Sequence, residues 1–175
     1  VFKGVDYKKL PTSDTSTQFY IARTNAGVVE QMIALEERHL RYNLTRPVKT
    51  LFAVPLMLMR INKSPEDEIY NVEYKFLEED LREYIRSEAI QNEYKSPLSY
   101  IAYMHSDDQS IMAGINLLRR IEPRIIMSVY NKALEHEKHH ETHRITVTSG
   151  HSAKGLESDV VYILDDMNAA LDKII

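Results

Sequence analysis

The chain contains no cysteine in its 175 residues. Disulfides and thiolate chemistry are therefore excluded, and the absence fits a reducing compartment. Glycine is sparse, with five residues at positions 4, 27, 114, 150 and 155, and none is followed directly by lysine and a hydroxyl residue. The pattern G-x-x-x-x-G-K-[ST] is thus missing, and with it the loop whose backbone cradles nucleotide phosphates. Long apolar runs are missing too. The best candidate, Leu51 to Met59, is nine residues long and contains Pro55, far short of a membrane span. The N-terminus carries no signal-peptide pattern, so the expectation is a cytoplasmic protein without a membrane segment. Residue 1 is Val rather than Met, which reads as an excised fragment. The length suits one domain, or one domain interrupted by a smaller insert, and is enough to bury a core without staples.

The formal net charge is −4, which argues against an obligate nucleic-acid binder. The charge is unevenly spread. Ser64 to His143 holds 16 acidic and 9 basic residues, and the remainder holds 10 acidic and 13 basic. The flanks could face a polyanion while the middle does not; chance variation is the plain alternative.

Residues 1–17 end in the polar run Pro11 to Thr17 and read as a loop. Gln18 to Ala22 is a short apolar run of the kind buried in parallel sheets. A helix is expected from about Ala26 to Arg38, with Val28, Val29, Met32, Ile33 and Leu35 on its apolar face. Arg41 to Leu44 reads as a second short strand. Pro47 suits a helix start, and Val48 to Ile61 would be a mostly buried helix. After a short strand expected around Ile69 to Tyr74, the pattern turns helical. Segments near Phe76–Ala89, Pro97–Met104, Ser106–Arg119 and Pro123–His139 are separated by prolines or polar breaks. Ile145 to Thr148 and Val160 to Leu164 read as strands. The expected architecture is one α/β domain, residues 1–62 and 144–175, split by a small all-helical insert, residues 63–143.

The chemistry concentrates in His151-Ser-Ala-Lys-Gly-Leu-Glu157, between the last two strands. It places an imidazole, a cation and a carboxylate around one glycine, which permits close backbone approach. Open α/β sheets put their ligands at loops on the C-terminal ends of strands. Phosphate, nucleic acid, ribose and metal all remain open as ligands on this ground.

The stretch Thr148-Ser-Gly-His151-Ser-Ala-Lys-Gly-Leu-Glu157-Ser-Asp-Val-Val-Tyr-Ile163 resembles motif V of the UvrD/Rep-type superfamily 1 DNA helicases. That pattern is close to T-x-H-x-x-K-G-L-E followed by an apolar strand. Far upstream, Tyr20-Ile-Ala-Arg23-Thr-Asn25-Ala26 resembles the family segment L-x-R-T/S-N-A at a strand end. Between the two, the family places an accessory insert of variable size.

The resemblance implies a RecA-like parallel sheet flanked by helices: the second, C-terminal motor domain of a P-loop NTPase-like helicase, incomplete at its far end. It implies that Arg23, Asn25, Thr148, Ser149 and His151 contact single-stranded DNA or pack beside it. It implies that Lys154, Gly155 and Glu157 face the nucleotide cleft, with Glu157 near the ribose. ATP and Mg would be bound mainly by the missing N-terminal RecA-like domain, the chain's own partner in the parent. Family precedent points to 3′-to-5′ movement, although no residue here sets direction. The acidic insert could bind a protein partner.

Three departures stand out. Ser149 occupies the usual Thr position, with Thr148 one step earlier; Ser158 replaces the aromatic that usually follows the Glu; and the insert is small for the family. The later arginine motif, near V-A-x-T-R-A, is absent. The fragment alone is therefore expected to hydrolyse no ATP. The bland alternatives are a strand-end charge at Arg23, a surface ion pair between Lys154 and Glu157, and a satisfied core histidine at His151.

Two readings of other classes compete. His136-Glu137-Lys138-His139-His140 matches H-E-x-x-H, the zinc metalloprotease signature, in which two histidines on one helix face hold zinc and the glutamate acts as base. Its position at a charged helix end, with Lys138 inside the motif, points instead to a solvated terminus, so no metal is expected. The other reading is a protein-interaction module, or a degenerate helicase-like domain without motor activity, presenting some of the eleven tyrosines.

Overall fold

The structure, a computed structural model, describes residues 16–150, 152 and 158–164. These form an α/β fold with a four-stranded parallel sheet flanked by helices. The strands are β1 (Gln18–Ala22), β2 (Asn43–Leu44), β3 (Ile145–Ser149) and β4 (Val160–Ile163), in the order β2-β3-β1-β4. Every pairing is parallel. Helix α1 (Asn25–Glu37) follows β1, and α2 (Val48–Lys63) follows β2. Then come α3 (Leu77–Arg86), α4 (Glu88–Tyr94), α5 (Pro97–Met104), α6 (Gln109–Arg120) and α7 (Pro123–Glu137).

The chain divides into two compact units, residues 1–52 with 124–175, and residues 53–123. The insert expected from the sequence spans 63–143. The second unit instead begins inside α2, and α7 groups with the sheet. The reason is visible in side chains: Phe52 and Tyr130 pack ring to ring at 5.0 Å.

In the sheet-bearing unit, β1 is central and pairs with β3 on one side and β4 on the other. Tyr20 and Ala22 are fully buried. Tyr20 is the register partner of Tyr162, and the two rings stack at 4.9 Å, a cross-strand pair of the kind that fixes register. At the start of β4, the Asp159 carboxylate accepts from both the backbone N–H and the hydroxyl of Thr17, each at 3.0 Å. Strand β2 has only two residues, and a side chain extends its pairing. The Asn43 amide donates to His143 O at 2.6 Å and accepts from His143 N at 2.8 Å, copying a backbone ladder rung. Helix α1 buries Ala26, Val28, Val29, Gln31, Met32, Ile33 and Leu35, more than one face, as expected of a helix covered on several sides.

The second unit is a helical cluster around Leu58, Ile61, Leu77, Leu81, Ile101, Ile111 and Ile115. Three of its helices begin at side-chain caps: Ser87, Ser96 and Asp108 accept from the N–H groups of Ile90, Ser99 and Ile111, which satisfies otherwise orphaned donors. Ser87 ends the helix expected over 76–89 early, at Arg86, and caps a further helix, α4, that runs on to Tyr94. The strand expected over 69–74 is a loop ending in a 3₁₀ turn, Val72–Tyr74. The Ile69 N–H goes to the Glu78 carboxylate at 2.9 Å, and Val72 is 87 % exposed, so neither residue has a strand to join. Burial first, and then a hydrogen bond to Glu83, pushes the Tyr100 phenol up to about 12.

Gly114 of α6 packs against α2. An added Cβ there would meet Leu58 Cδ1 at 2.7 Å and Val54 Cγ1 at 3.2 Å, and Leu58 is fully buried. Helix propensity favours alanine over glycine by about 1 kcal/mol, but overpacking a filled core costs roughly 1–3 kcal/mol. We expect Gly114→Ala to destabilise by about 1 kcal/mol in urea unfolding, and the same change in a Leu58→Ala background to be neutral or stabilising.

Candidate functional site

Parallel strands carry successive loops to one edge, and here β1 and β3 end in register, Ala22 opposite Ser149. The Gly150 N–H donates to Ala22 O at 3.0 Å. The segments starting at Arg23 and at Gly150 therefore leave the sheet side by side at its C-terminal edge, the edge where open α/β sheets bind ligands. Thr24 caps α1, its hydroxyl accepting from Gly27 N at 3.0 Å. This leaves Asn25 as the first helical residue.

The upstream segment supplies Arg23 and Asn25, both half-buried. The downstream segment supplies Thr148 and Ser149, which are 1 % and 3 % exposed. Their hydroxyls are used internally. Thr148 Oγ1 and Thr45 Oγ1 are 2.7 Å apart, and Ser149 Oγ donates to Ser152 Oγ at 3.3 Å and accepts from Ser152 N at 3.4 Å. Thr148 thus ties β3 to Thr45 after β2, and Ser149 holds Ser152. His151, Lys154, Gly155 and Glu157 lie outside the described residues.

One residue at this edge was missed in the sequence. The Arg46 guanidinium donates through Nη1 to Asn25 Oδ1 at 3.1 Å and through Nε to Ser152 Oγ at 3.0 Å. It joins the upstream segment to Ser152, which lies 106 positions after Arg46 itself. The available signal was positional: Thr45 and Arg46 fall between a strand and the helix-starting Pro47, which puts them in a loop on the same edge.

A groove of about 520 Å³ runs beside β2, lined among others by Arg41, Arg46, His136, His139, His140 and His143. Tyr42 forms part of its wall, and its hydroxyl donates to Glu36 Oε1 at 3.1 Å. Burial, together with the charge and hydrogen bond of Glu36, raises the Tyr42 phenol far above its usual range. The zinc signature does not form a site here. Helix α7 ends at Glu137, and the next bonds, Lys138 N to Glu135 O and His139 N to His136 O, tighten the turn so that His136 and His140 do not share a helical face. Glu137, the residue that would act as base, accepts from Val48 N at 2.8 Å and caps α2. Among the described residues no cluster of three or more His, Asp or Glu is arranged to hold a metal ion, and no helix is long and apolar enough to cross a membrane.

No protein-family model matches the chain, and neither do any curated protein or solved structure.

The buried Thr148 hydroxyl also donates to Ser149 O at 3.2 Å. Thr148→Val removes both of its hydrogen bonds while keeping the shape, and should cost about 1 kcal/mol. Chemical denaturation read by circular dichroism checks this.

Proposed function

We propose that the chain is part of the second motor domain of a UvrD/Rep-type superfamily 1 DNA helicase or translocase, with a RecA-like sheet interrupted by a helical insert. It would supply single-strand contacts and one wall of the ATP cleft. One observation carries the reading: the two segments that resemble family motifs, remote in sequence, emerge together at the C-terminal edge of one parallel sheet and are bridged by Arg46. A random pair of motif matches has no reason to fall on adjacent strands with their ends in register.

In this reading Arg23 and Asn25 hold the phosphate backbone of a single strand, contacts that position without reading sequence. Thr148 and Ser149 hold the following loop in place, with His151 beside the strand. Lys154, Gly155 and Glu157 face the nucleotide, whose phosphates and Mg are gripped chiefly by the other motor domain. ATP closes the cleft between the two domains, hydrolysis opens it, and the domains alternate their hold on DNA.

Two variants of the full-length protein test this. Arg23→Ala should weaken single-strand binding and lower the salt slope of binding by about one; an unchanged slope removes the contact. Glu157→Ala should reduce ATP turnover by about tenfold, the loss of one hydrogen-bonded contact of roughly 1.4 kcal/mol, while binding of DNA without nucleotide stays intact. Normal turnover in that variant removes the nucleotide role.

A further inference from the structure

Four of the chain's seven histidines line the single groove beside β2, a concentration the motor reading does not use. The charged groups facing that groove come from three places. Residues 41–48 contribute Arg41 and Arg46, α7 contributes His136 and Glu137, and the segment before β3 contributes His139, His140, Glu141 and His143.

The acids are already engaged. Glu137 caps α2 through Val48 N. Glu141 lies 3.8 Å from His143. Glu135, on α7, reaches Lys138 at 3.3 Å and His139 at 3.7 Å. Glu36, from α1, accepts the Tyr42 hydroxyl. Among the described residues Arg41, His136 and His140 have no acidic partner. The groove thus offers a guanidinium and two imidazoles that no acid among the described residues answers, and an anion fits beside them.

Shape narrows the ligand. The groove is much larger than one phosphate, and Arg46 makes it continuous with the sheet edge, since the same guanidinium bonds Asn25. A linear polyanion passing Arg23 and Asn25 would be led into it. Histidine rings also stack on exposed bases, as nucleic-acid readers use them, which a groove for free phosphate has no need of.

We propose that the groove between residues 41–48 and 136–143 binds a stretch of single-stranded nucleic acid through its phosphates, extending the strand path that begins at Arg23 and Asn25. The proposal rests on the motor-domain reading for the direction of the strand.

Fluorescence anisotropy of the full chain with fluorescein-labelled oligothymidylate, read across a range of salt at one pH, tests it. Arg41→Gln should weaken binding about threefold and lower the salt slope by about one, as loss of one phosphate contact does. The double variant His136→Gln, His140→Gln should weaken binding about tenfold through lost base stacking, with circular dichroism confirming that both variants fold. Either variant binding as wild type overturns the groove. Oligothymidylate binding that ignores the double variant, while inorganic polyphosphate binding responds to it, assigns the groove to free polyanions and likewise overturns the proposal. The motor reading fails separately, through an Arg23→Ala variant with an unchanged salt slope.

Discussion

The position of β1 between β3 and β4 organises everything else in the sheet-bearing unit. Parallel neighbours cannot be joined by a tight turn, so each pairing requires a long crossover. The chain meets this with helices, and the crossover from β2 to β3 carries the whole second unit. Because the pairing is parallel, Ala22 and Ser149 end at the same edge, and residues far apart in sequence become neighbours. A slip of one residue would turn Tyr20 and Ala22 out of the core. The stacked pair of Tyr20 and Tyr162 and the Thr17–Asp159 bonds oppose that slip from two points along the strand.

Elements with a strong local pattern were legible in the sequence. Gln18 to Ala22 is too apolar for anything but a buried strand, and α5, whose N-terminus follows Ser96-Pro97, has a cap and a first-turn proline side by side. What failed was decided by single hydrogen bonds. Ile69 to Tyr74 has strand-like composition, yet the Glu78 carboxylate takes the Ile69 N–H and Asn71 caps a 3₁₀ turn. Ser87 breaks a helix that composition alone would continue. The boundary of the insert was also illegible, since the packing of Tyr130 on Phe52 is a tertiary fact with no local mark.

The edge shows the same division. The place of Arg23 and Asn25 just after β1 was legible because the apolar run Gln18 to Ala22 marks that strand. Arg46 was not, because its role comes from geometry: a guanidinium with donors pointing two ways can bridge a side-chain amide and a hydroxyl at once. The His-Glu-x-x-His string shows the converse. Its spacing was right, but such a site requires an unbroken helix and a free carboxylate. Here the helix stops at Glu137 and that carboxylate serves α2.

The bond from Val48 N to Glu137 and the Asn43–His143 pair fasten the outgoing and returning ends of the long crossover to each other. With its ends pinned, the intervening chain is a closed excursion whose length is almost indifferent to the sheet, since doubling a loop costs only about 0.6 kcal/mol in closure entropy. A scaffold clasped in this way can acquire, shed or exchange an entire helical body during evolution and keep its strands in register.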